Sequence, residues 1–141
     1  MSGTQHLLFD KILIPVSNIF LLRKNVYAMV NLKPIVEGHV LVCSRRVVPR
    51  LYDLSEVETL DFWVTVQEVA KTLEKIYQCE CSIAVQDGPT AGQTVKHVHC
   101  HIIPKKDAIR HIDNEERAPR TDEDMIKEAT KYRPYFEQLT L

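Results

Sequence analysis

The sequence lacks the features that mark membrane-spanning, secreted and duplex-binding proteins. It has no run of the roughly 18 apolar residues that a membrane span needs. Its net charge of −1 provides no basic field for a nucleic-acid duplex or an anionic membrane. Residues 1–10 lack the basic start and apolar core of a signal peptide, so we expect none. We therefore expect neither a nucleic-acid duplex nor a membrane as a partner.

Cysteine is scarce as well. Four cysteines scattered over 141 residues are too few for a disulfide framework. Cys43 and Cys100 lie in apolar strand-like patterns, where a free cysteine is usually a small core residue. This usage predicts a reducing compartment, cytoplasmic or nuclear.

The chain has no internal repeat and no linker that would separate domains, so we predict one domain over residues 1–141. Ser55 and Glu58 form a capping box, and apolar residues then recur at helical spacing up to about Tyr77. Strand-like segments lie on both sides of this helix. They are residues 19–22, 26–31, 39–43, 81–86 and 97–104. The pattern predicts an α+β fold.

The two ends of the domain are assigned from local signals. We predict a core over about residues 19–105 and a charged, mobile segment over 106–120. Thr121 begins a helix within 121–141, which Pro134 must end or kink.

The most informative segment is the histidine row, His97, His99 and His101. Three of the six histidines alternate here with apolar residues, which is the pattern of a half-buried strand. Side chains alternate across a strand, so the three imidazoles share one face while Val98, Cys100 and Ile102 enter the core.

Three interpretations of the row compete. It is a polar strand face, a zinc site, or a nucleophilic site. Neighbouring same-face residues lie about 6.5–7 Å apart, so only two of the three rings readily reach one zinc ion. His39 or Cys43 would have to supply a further ligand.

Nucleophilic catalysis fits the surrounding sequence better. A neutral imidazole is available near pH 7 because its unperturbed pKa is about 6.5. The preceding loop, residues 87–96, contains Gly88 and Gly92, which permit close backbone approach to an anion, and Gln93 and Thr94, which can donate hydrogen bonds. The combination indicates phosphoryl or nucleotidyl chemistry.

These residues resemble a known family. His97-Val98-His99-Cys100-His101-Ile102 is similar to the His-φ-His-φ-His-φ signature of the histidine triad superfamily of nucleotide hydrolases and transferases. Residues 86–96, Pro104 and residues 31–42 are similar to its fragile-histidine-triad branch. The resemblance runs from about residue 19 to Lys105 and implies an antiparallel sheet with one long helix, a C-terminal helix and a two-fold homodimer.

The resemblance also implies an activity and a role for each matching residue. That branch hydrolyses the phosphoric anhydride of diadenosine triphosphate to give AMP and ADP. His99 would be the nucleophile that forms a nucleotidyl-histidine, and His101 would contact the reacting phosphate and its leaving oxygen. His97 and His39 would hold the nucleophile's ring, and Asn31 would contact the ribose. The phosphate-binding residues would be Gln86, Gly92, Gln93, Thr94 and Val95.

No tightly bound cofactor is implied, although Mg²⁺ is expected to accompany a polyphosphate substrate. Three alternatives stay open: a nucleoside phosphoramidate hydrolase of the same superfamily, a nucleotide-binding signalling protein with slow turnover, and a zinc-binding module.

Overall fold

A five-stranded antiparallel sheet carries the histidine row in its interior. The computed structural model describes residues 5–105 and 118–136. Its strands are β1 His6–Phe9, β2 Ile12–Pro15, β3 Ile19–Leu22, β4 Val26–Val30, β5 Val40–Ser44, β6 Cys81–Ala84 and β7 His99–Pro104, and its helices are α1 Glu56–Tyr77 and α2 Asp122–Tyr132. The main sheet has the order β3-β4-β5-β7-β6, and β1 and β2 form a separate hairpin. The predicted α+β fold is confirmed.

One face of the main sheet packs against α1. The predicted capping box is present, since the Glu58 amide donates to Ser55 Oγ over 3.1 Å and the Ser55 amide donates to Glu58 Oε1 over 2.8 Å. The buried face of α1 meets the alternate residues of β7 and the residue just before that strand. The members of this core include Phe62, Val66, Val69, Leu73, Val98, Cys100 and Ile102. The apolar half of the histidine segment therefore packs into the main core, as predicted.

The opposite face is covered by the β1–β2 hairpin, which the sequence did not predict. Phe9 packs onto a second apolar layer that includes Met29 and Leu41. The Tyr27 hydroxyl ties the hairpin to the sheet by donating to the Leu8 carbonyl over 2.8 Å. The exposed side chains of the hairpin include Leu8, Ile12 and Leu13, which are all apolar. The hairpin therefore lacks the polar–apolar alternation by which strands were sought.

Three strands are shorter at one end than the sequence predicted. β4 ends at Val30 and β5 begins at Val40, so Asn31 and His39 lie just beyond the two strands. β6 ends at Ala84 rather than at Gln86, because the chain turns there and the Gly88 amide donates to the Gln86 carbonyl.

The last strand likewise begins at His99, not at His97. The His97 amide donates to the Val95 carbonyl in a turn, and the Val98 amide donates to the Val48 carbonyl. These bonds take residues 97 and 98 out of the regular ladder.

Thr121 caps the C-terminal helix, which begins at Asp122, and the Thr121 Oγ1 accepts from the Asp124 amide over 3.2 Å. The helix ends at Tyr132, and Pro134 lies in the 3-10 turn Arg133–Tyr135 that follows. Residues 137–141 of the predicted helix, and residues 106–117 of the segment predicted to be mobile, lie outside the described residues. Arg120 at the end of that segment is held in place, since its amide donates to the Leu32 carbonyl over 3.0 Å.

Two further predictions concern cysteines and membrane spans. Cys43 and Cys100 are fully buried in the apolar layers, as predicted, and all four cysteines are free thiols. Neither of the helices in residues 5–105 and 118–136 combines the length and apolar character needed to cross a membrane.

Candidate active site

The three rings of the histidine row lie on the hairpin-covered face of the sheet. The ring centroids of His99 and His101 are 5.1 Å apart, and Phe9 contacts both His97 and His99 with centroid distances of 5.4 and 5.0 Å. His97 is completely buried, whereas His99 and His101 are 7% and 8% exposed. Within the row, His99 and His101 keep a small exposed fraction, whereas His97 keeps none.

The His97 ring has a structural role, since both of its nitrogens make hydrogen bonds to the main chain. Its Nδ1 accepts from the Asp10 amide over 2.8 Å, which assigns the ring proton to Nε2. Nε2 in turn donates to the Ser44 carbonyl over 2.6 Å. Burial lowers the pKa of His97 below its usual 6.5, despite the opposing effects of the Ser44 carbonyl and Asp10. Both ring nitrogens are engaged, so this ring joins the hairpin to β5.

His99 has the arrangement of a nucleophile. Its Nδ1 lies 2.6 Å from the His97 carbonyl oxygen, which can only accept, so the proton resides on Nδ1 and Nε2 carries a lone pair. Burial lowers the pKa of His99, the carbonyl partly opposes that shift, and the charge of a protonated His97 would lower it further. The ring is therefore neutral near pH 7.

His101 is oriented by His39 through a chain of hydrogen bonds. The Ile35 amide donates to His39 Nδ1 over 3.0 Å, so His39 carries its proton on Nε2. That nitrogen lies 3.0 Å from His101 Nδ1 and donates to it, which leaves the His101 proton on Nε2. His101 thus presents an N–H donor beside the lone pair of His99.

The resemblance implied that His97 and His39 hold the ring of the nucleophile. The structure places these two residues differently. His97 holds His99 through its main-chain carbonyl, not through its ring. The His39 ring bonds that of His101, and His101 then lies edge-on to His99.

Asn31 lies beside this pair of rings. Its Nδ2 is 3.2 Å from Nε2 and 3.5 Å from Nδ1 of His39, and its Oδ1 accepts from the Lys33 amide. The Arg120 guanidinium donates to the Asn31 carbonyl. Asn31 is therefore both a turn residue and a neighbour of the site.

The loop before the row is anchored at both ends. Asp87 accepts from the Leu51 amide and from Arg50, and these bonds hold the pKa of its carboxyl below the usual range. Gln93 is nearly buried and donates one amide hydrogen to the Pro49 carbonyl over 2.7 Å. The predicted phosphate donor Gln93 thus also anchors the loop.

The other predicted phosphate-binding residues differ in exposure. Thr94 is exposed, Gln86 is half-buried, and Val95 is a half-buried member of the hairpin-side apolar layer. Gly92 has a φ of +97°, a conformation that favours glycine, and its amide donates to the Pro89 carbonyl. Among these residues, Thr94 is the exposed side-chain donor.

A cavity of about 160 Å³ lies next to the histidine row. Its walls come from the hairpin, the 3-10 turn Val16–Asn18, β4 and the turn after it, β5 and α2. The lining residues are Phe9, Ile12, Ile14, Asn18, Met29, Val30, Asn31, Leu32, Leu41 and Met125. Of these, only Asn31 was predicted. Two short apolar runs, residues 7–9 and 12–15 on either side of Asp10-Lys11, were the signal that would have located the hairpin and with it Phe9 and Ile12.

The described parts of the chain contain no ligand cluster that would support a zinc site. There, no group of three or more His, Cys, Asp or Glu side chains is placed to hold one ion. The histidine nitrogens mostly face protein partners instead. His97 and His39 each use both ring nitrogens, and His99 uses Nδ1.

Comparison with known proteins agrees with this geometry. The family model of the HIT domain matches residues 15–108, so the chain belongs to the HIT domain family. The histidine-triad resemblance of the sequence is thereby confirmed.

Three relatives illustrate the similarity. A bis(5'-adenosyl)-triphosphatase of Dictyostelium discoideum is 44% identical over 138 residues, covering 92% of this chain and 93% of its own length. An asymmetrical bis(5'-nucleosyl)-tetraphosphatase of Schizosaccharomyces pombe is 50% identical over 93 residues, covering 65% and 51%. The crystal structure of Plasmodium falciparum diadenosine triphosphate hydrolase with cyclomarin A is 31% identical, with a TM-score of 0.81 over 95% of this chain and 86% of that one.

Proposed function

We propose that this protein is a dinucleoside polyphosphate hydrolase that cleaves diadenosine triphosphate to AMP and ADP through a nucleotidyl-His99 intermediate. The observation that carries the proposal is the tautomer of His99 that the His97 carbonyl fixes, which leaves Nε2 unprotonated. The names of the similar enzymes support the substrate class.

In the first step, Nε2 of His99 attacks the α-phosphorus. A P–N bond forms and the bond from that phosphorus to the bridging oxygen breaks, so ADP leaves. The ring gains positive charge, which the His97 carbonyl stabilises because it accepts from Nδ1–H. The carbonyl is held in place before the reaction, so this stabilisation requires little reorganisation.

His101 assists at the phosphate. Its Nε2–H, set by the His39 bond, donates to a phosphate oxygen as negative charge develops there. In the second step, water attacks the same phosphorus, the P–N bond breaks and AMP is released. The water loses one proton to solvent, and His99 returns to its neutral form.

The remaining substrate contacts follow the layout of the site. The nucleoside occupies the cavity, with its ribose near Asn31, and the phosphates lie along the loop that contains Gln86, Gly92, Gln93, Thr94 and Val95. Mg²⁺ accompanies the polyphosphate, since a divalent cation bridges phosphate oxygens and offsets their charge. We propose no tightly bound cofactor.

We also propose a two-fold homodimer. Strand β6 is an edge of the main sheet, with Ile83 exposed, and an edge strand is a template for pairing with a second chain. The helix α1 also exposes Val57, Leu60 and Val64, which a second copy can cover. Sedimentation should give twice the chain mass of 16.3 kDa. A cytoplasmic or nuclear location is proposed from the four free thiols.

The test of the proposed function is turnover of diadenosine triphosphate, diadenosine tetraphosphate and an adenosine phosphoramidate. We expect the triphosphate to have the highest kcat/KM. The variant His99→Asn should bind the triphosphate but lose at least about 10⁴-fold in kcat. The exposed His6→Asn is the matched control and should retain full turnover.

Acid quench of labelled substrate provides a second measurement. Label should remain on wild-type protein and be absent from His99→Asn. Comparable turnover by His99→Asn would contradict the nucleophile assignment, and a highest kcat/KM for the phosphoramidate would contradict the substrate class.

A further inference from the structure

The cavity beside the histidine row contains a buried amide. Asn18, at the end of the 3-10 turn Val16–Asn18, is only 6% exposed and lines a wall that is otherwise mostly apolar. Within residues 5–105 and 118–136, its side chain has no hydrogen-bond partner. Buried polar groups are nearly always hydrogen-bonded, so this amide is suited to a partner inside the cavity.

The backbone on both sides of Asn18 is fixed. The Arg133 guanidinium donates to the Ser17 carbonyl over 3.3 Å and to the Ile19 carbonyl over 2.9 Å. Arg133 follows α2 directly, and α2 contributes Met125 to the same cavity. The amide is thus presented from a position held by the C-terminal part of the fold.

Phe9 connects the cavity that Asn18 lines to the ring of His99. The β3–β4 register pairs Ile19 with Met29, which places Asn18 at the sheet end that Asn31 borders. Phe9 lines the cavity and contacts the His99 ring at a centroid distance of 5.0 Å. A group in the cavity is therefore separated from His99 by a single aromatic side chain.

The size of the cavity limits what it can hold. About 160 Å³ is less than the roughly 300–1,000 Å³ of pockets that enclose drug-sized ligands, so it accommodates one part of a nucleotide. Its walls are mainly aliphatic and aromatic, which suits a flat base. Asn18 and Asn31 are the two polar side chains in the lining, and Asn31 already contacts Lys33 and His39.

We propose that Asn18 recognises the edge of the base and makes the site prefer adenine to guanine. The proposal rests on the proposed function, which places the phosphate of the same nucleotide at His99. An asparagine amide offers one donor and one acceptor, which match N7 and the N6 amino group of adenine. Guanine presents two acceptors, N7 and O6, along the same edge, so the carbonyl of Asn18 would face an oxygen.

The test compares kcat/KM for diadenosine and diguanosine triphosphate in wild type and in Asn18→Ala. We expect the adenine-to-guanine ratio to fall about tenfold, at the low end of the discrimination that a bidentate contact provides. Asn25→Ala is the matched control. Its amide donates to Asp61 on α1, away from the cavity lining, so the variant should lose stability and leave the ratio unchanged.

Asn18→Asp adds a second comparison, since a carboxylate keeps an acceptor and loses the donor to N7. Adenine and guanine both accept at N7, so Asn18→Asp should weaken binding of both bases and keep the adenine preference through its remaining acceptor. Thermal unfolding should show that both Asn18 variants fold. Calorimetric binding of AMP and GMP measures the same preference without turnover. An unchanged ratio in Asn18→Ala, or equal AMP and GMP binding by wild type, would overturn the inference.

Failure of the proposed function has a different signature. Wild type would then hydrolyse neither dinucleotide. An adenine preference in binding that depends on Asn18 would still support the base contact in that case.

Discussion

The Nδ1 atom of His99 lies 2.6 Å from the main-chain carbonyl oxygen of His97, two residues earlier. The group that orients the reacting ring is therefore part of the backbone, and replacement of a side chain does not remove it. The ring of His97 has a separate task, which is to join the hairpin at Asp10 to β5 at Ser44. In the proposed mechanism, catalysis depends on the main-chain carbonyl of His97, whereas the stability of the hairpin contact depends on its ring.

Replacement of His97 should separate these two tasks. His97→Ala leaves the Asp10 amide and the Ser44 carbonyl without their partner, which should cost about 2–5 kcal/mol of unfolding free energy. The carbonyl bond to His99 remains, so kcat of the folded variant should fall far less than in His99→Asn. Urea unfolding and steady-state kinetics on the same samples measure both effects. Equal losses of kcat in the two variants would mean that the His97 ring itself takes part in the reaction.

Hydrolysis should have an acidic limit set by His99. Only the neutral ring can attack, and burial lowers its pKa below 6.5. We expect kcat/KM to stay level as the pH falls from 7.5 to 6.5 and to decline below that, as the ring protonates in the free enzyme. A pH–rate profile from 5 to 8 measures this limb. A level profile throughout would contradict a neutral imidazole nucleophile.

The free energy of unfolding should also decrease as the pH falls below about 6.5. The pKa values of His97 and His99 are lower in the folded chain than the 6.5 of the unfolded state. Below about pH 6.5 the unfolded chain binds protons that the folded chain does not, so unfolding free energy decreases as the pH falls through this window. Urea unfolding at pH 7.5, 6.5 and 5.5 should show the decline. His97→Phe, if folded, should weaken the pH dependence, whereas the exposed His6→Phe should leave it in place.

Gly38 should tolerate no side chain. Its φ is +90°, and an added Cβ would lie 2.7 Å from Tyr77 Cε2 and 2.8 Å from Pro104 Cγ. Gly38→Ala should therefore cost at least about 2 kcal/mol, from backbone strain and overpacking together. Gly88→Ala is the control, because its φ is +116° but its nearest contact is the flexible Arg50 side chain at 3.4 Å. Chemical denaturation should rank Gly38→Ala as the less stable, and the reverse order would refute the close approach.

Arg120 should influence substrate binding from outside the histidine row. It donates to the Asn31 carbonyl and pairs with Glu128 on α2, so it fixes the turn that borders the cavity. Arg120→Ala should raise KM about three- to tenfold, as expected when one charged hydrogen bond that positions a binding residue is lost. Arg23→Ala loses a comparable pair with Glu68 on α1 and should leave KM unchanged. A similar KM in both variants would show that Arg120 only contributes stability.

The sequence predicted the elements that have strong local signals. The capping box placed the start of α1 at the correct residue, and strict alternation placed the histidine rings on one face with Cys100 in the core. Strand ends were less accurate. His97 continues the alternation, yet its neighbours bond outside the ladder, which only tertiary contacts determine.

The cavity was the least predictable part of the site. Asn18 and Met125 are 107 positions apart along the chain, and no periodicity relates them. The orientation of His101 by His39 could not be predicted from the sequence either, because it depends on the pairing of β5 with β7 and on the main-chain amide of Ile35. Sequence patterns predicted which histidines share one face of the sheet, and the fold determined which atoms of each ring have protein partners.

The histidine row and part of the cavity wall come from different regions of the chain. The histidine row lies within residues 15–108, which the HIT domain model matches, whereas Phe9, Ile12 and Met125 lie outside that range. Substitutions in either flank can reshape the cavity while the reacting nitrogens keep their hydrogen bonds. Because the nucleoside is proposed to occupy this cavity, exchange of the short flanks between family members should change nucleoside selectivity without altering the histidine row.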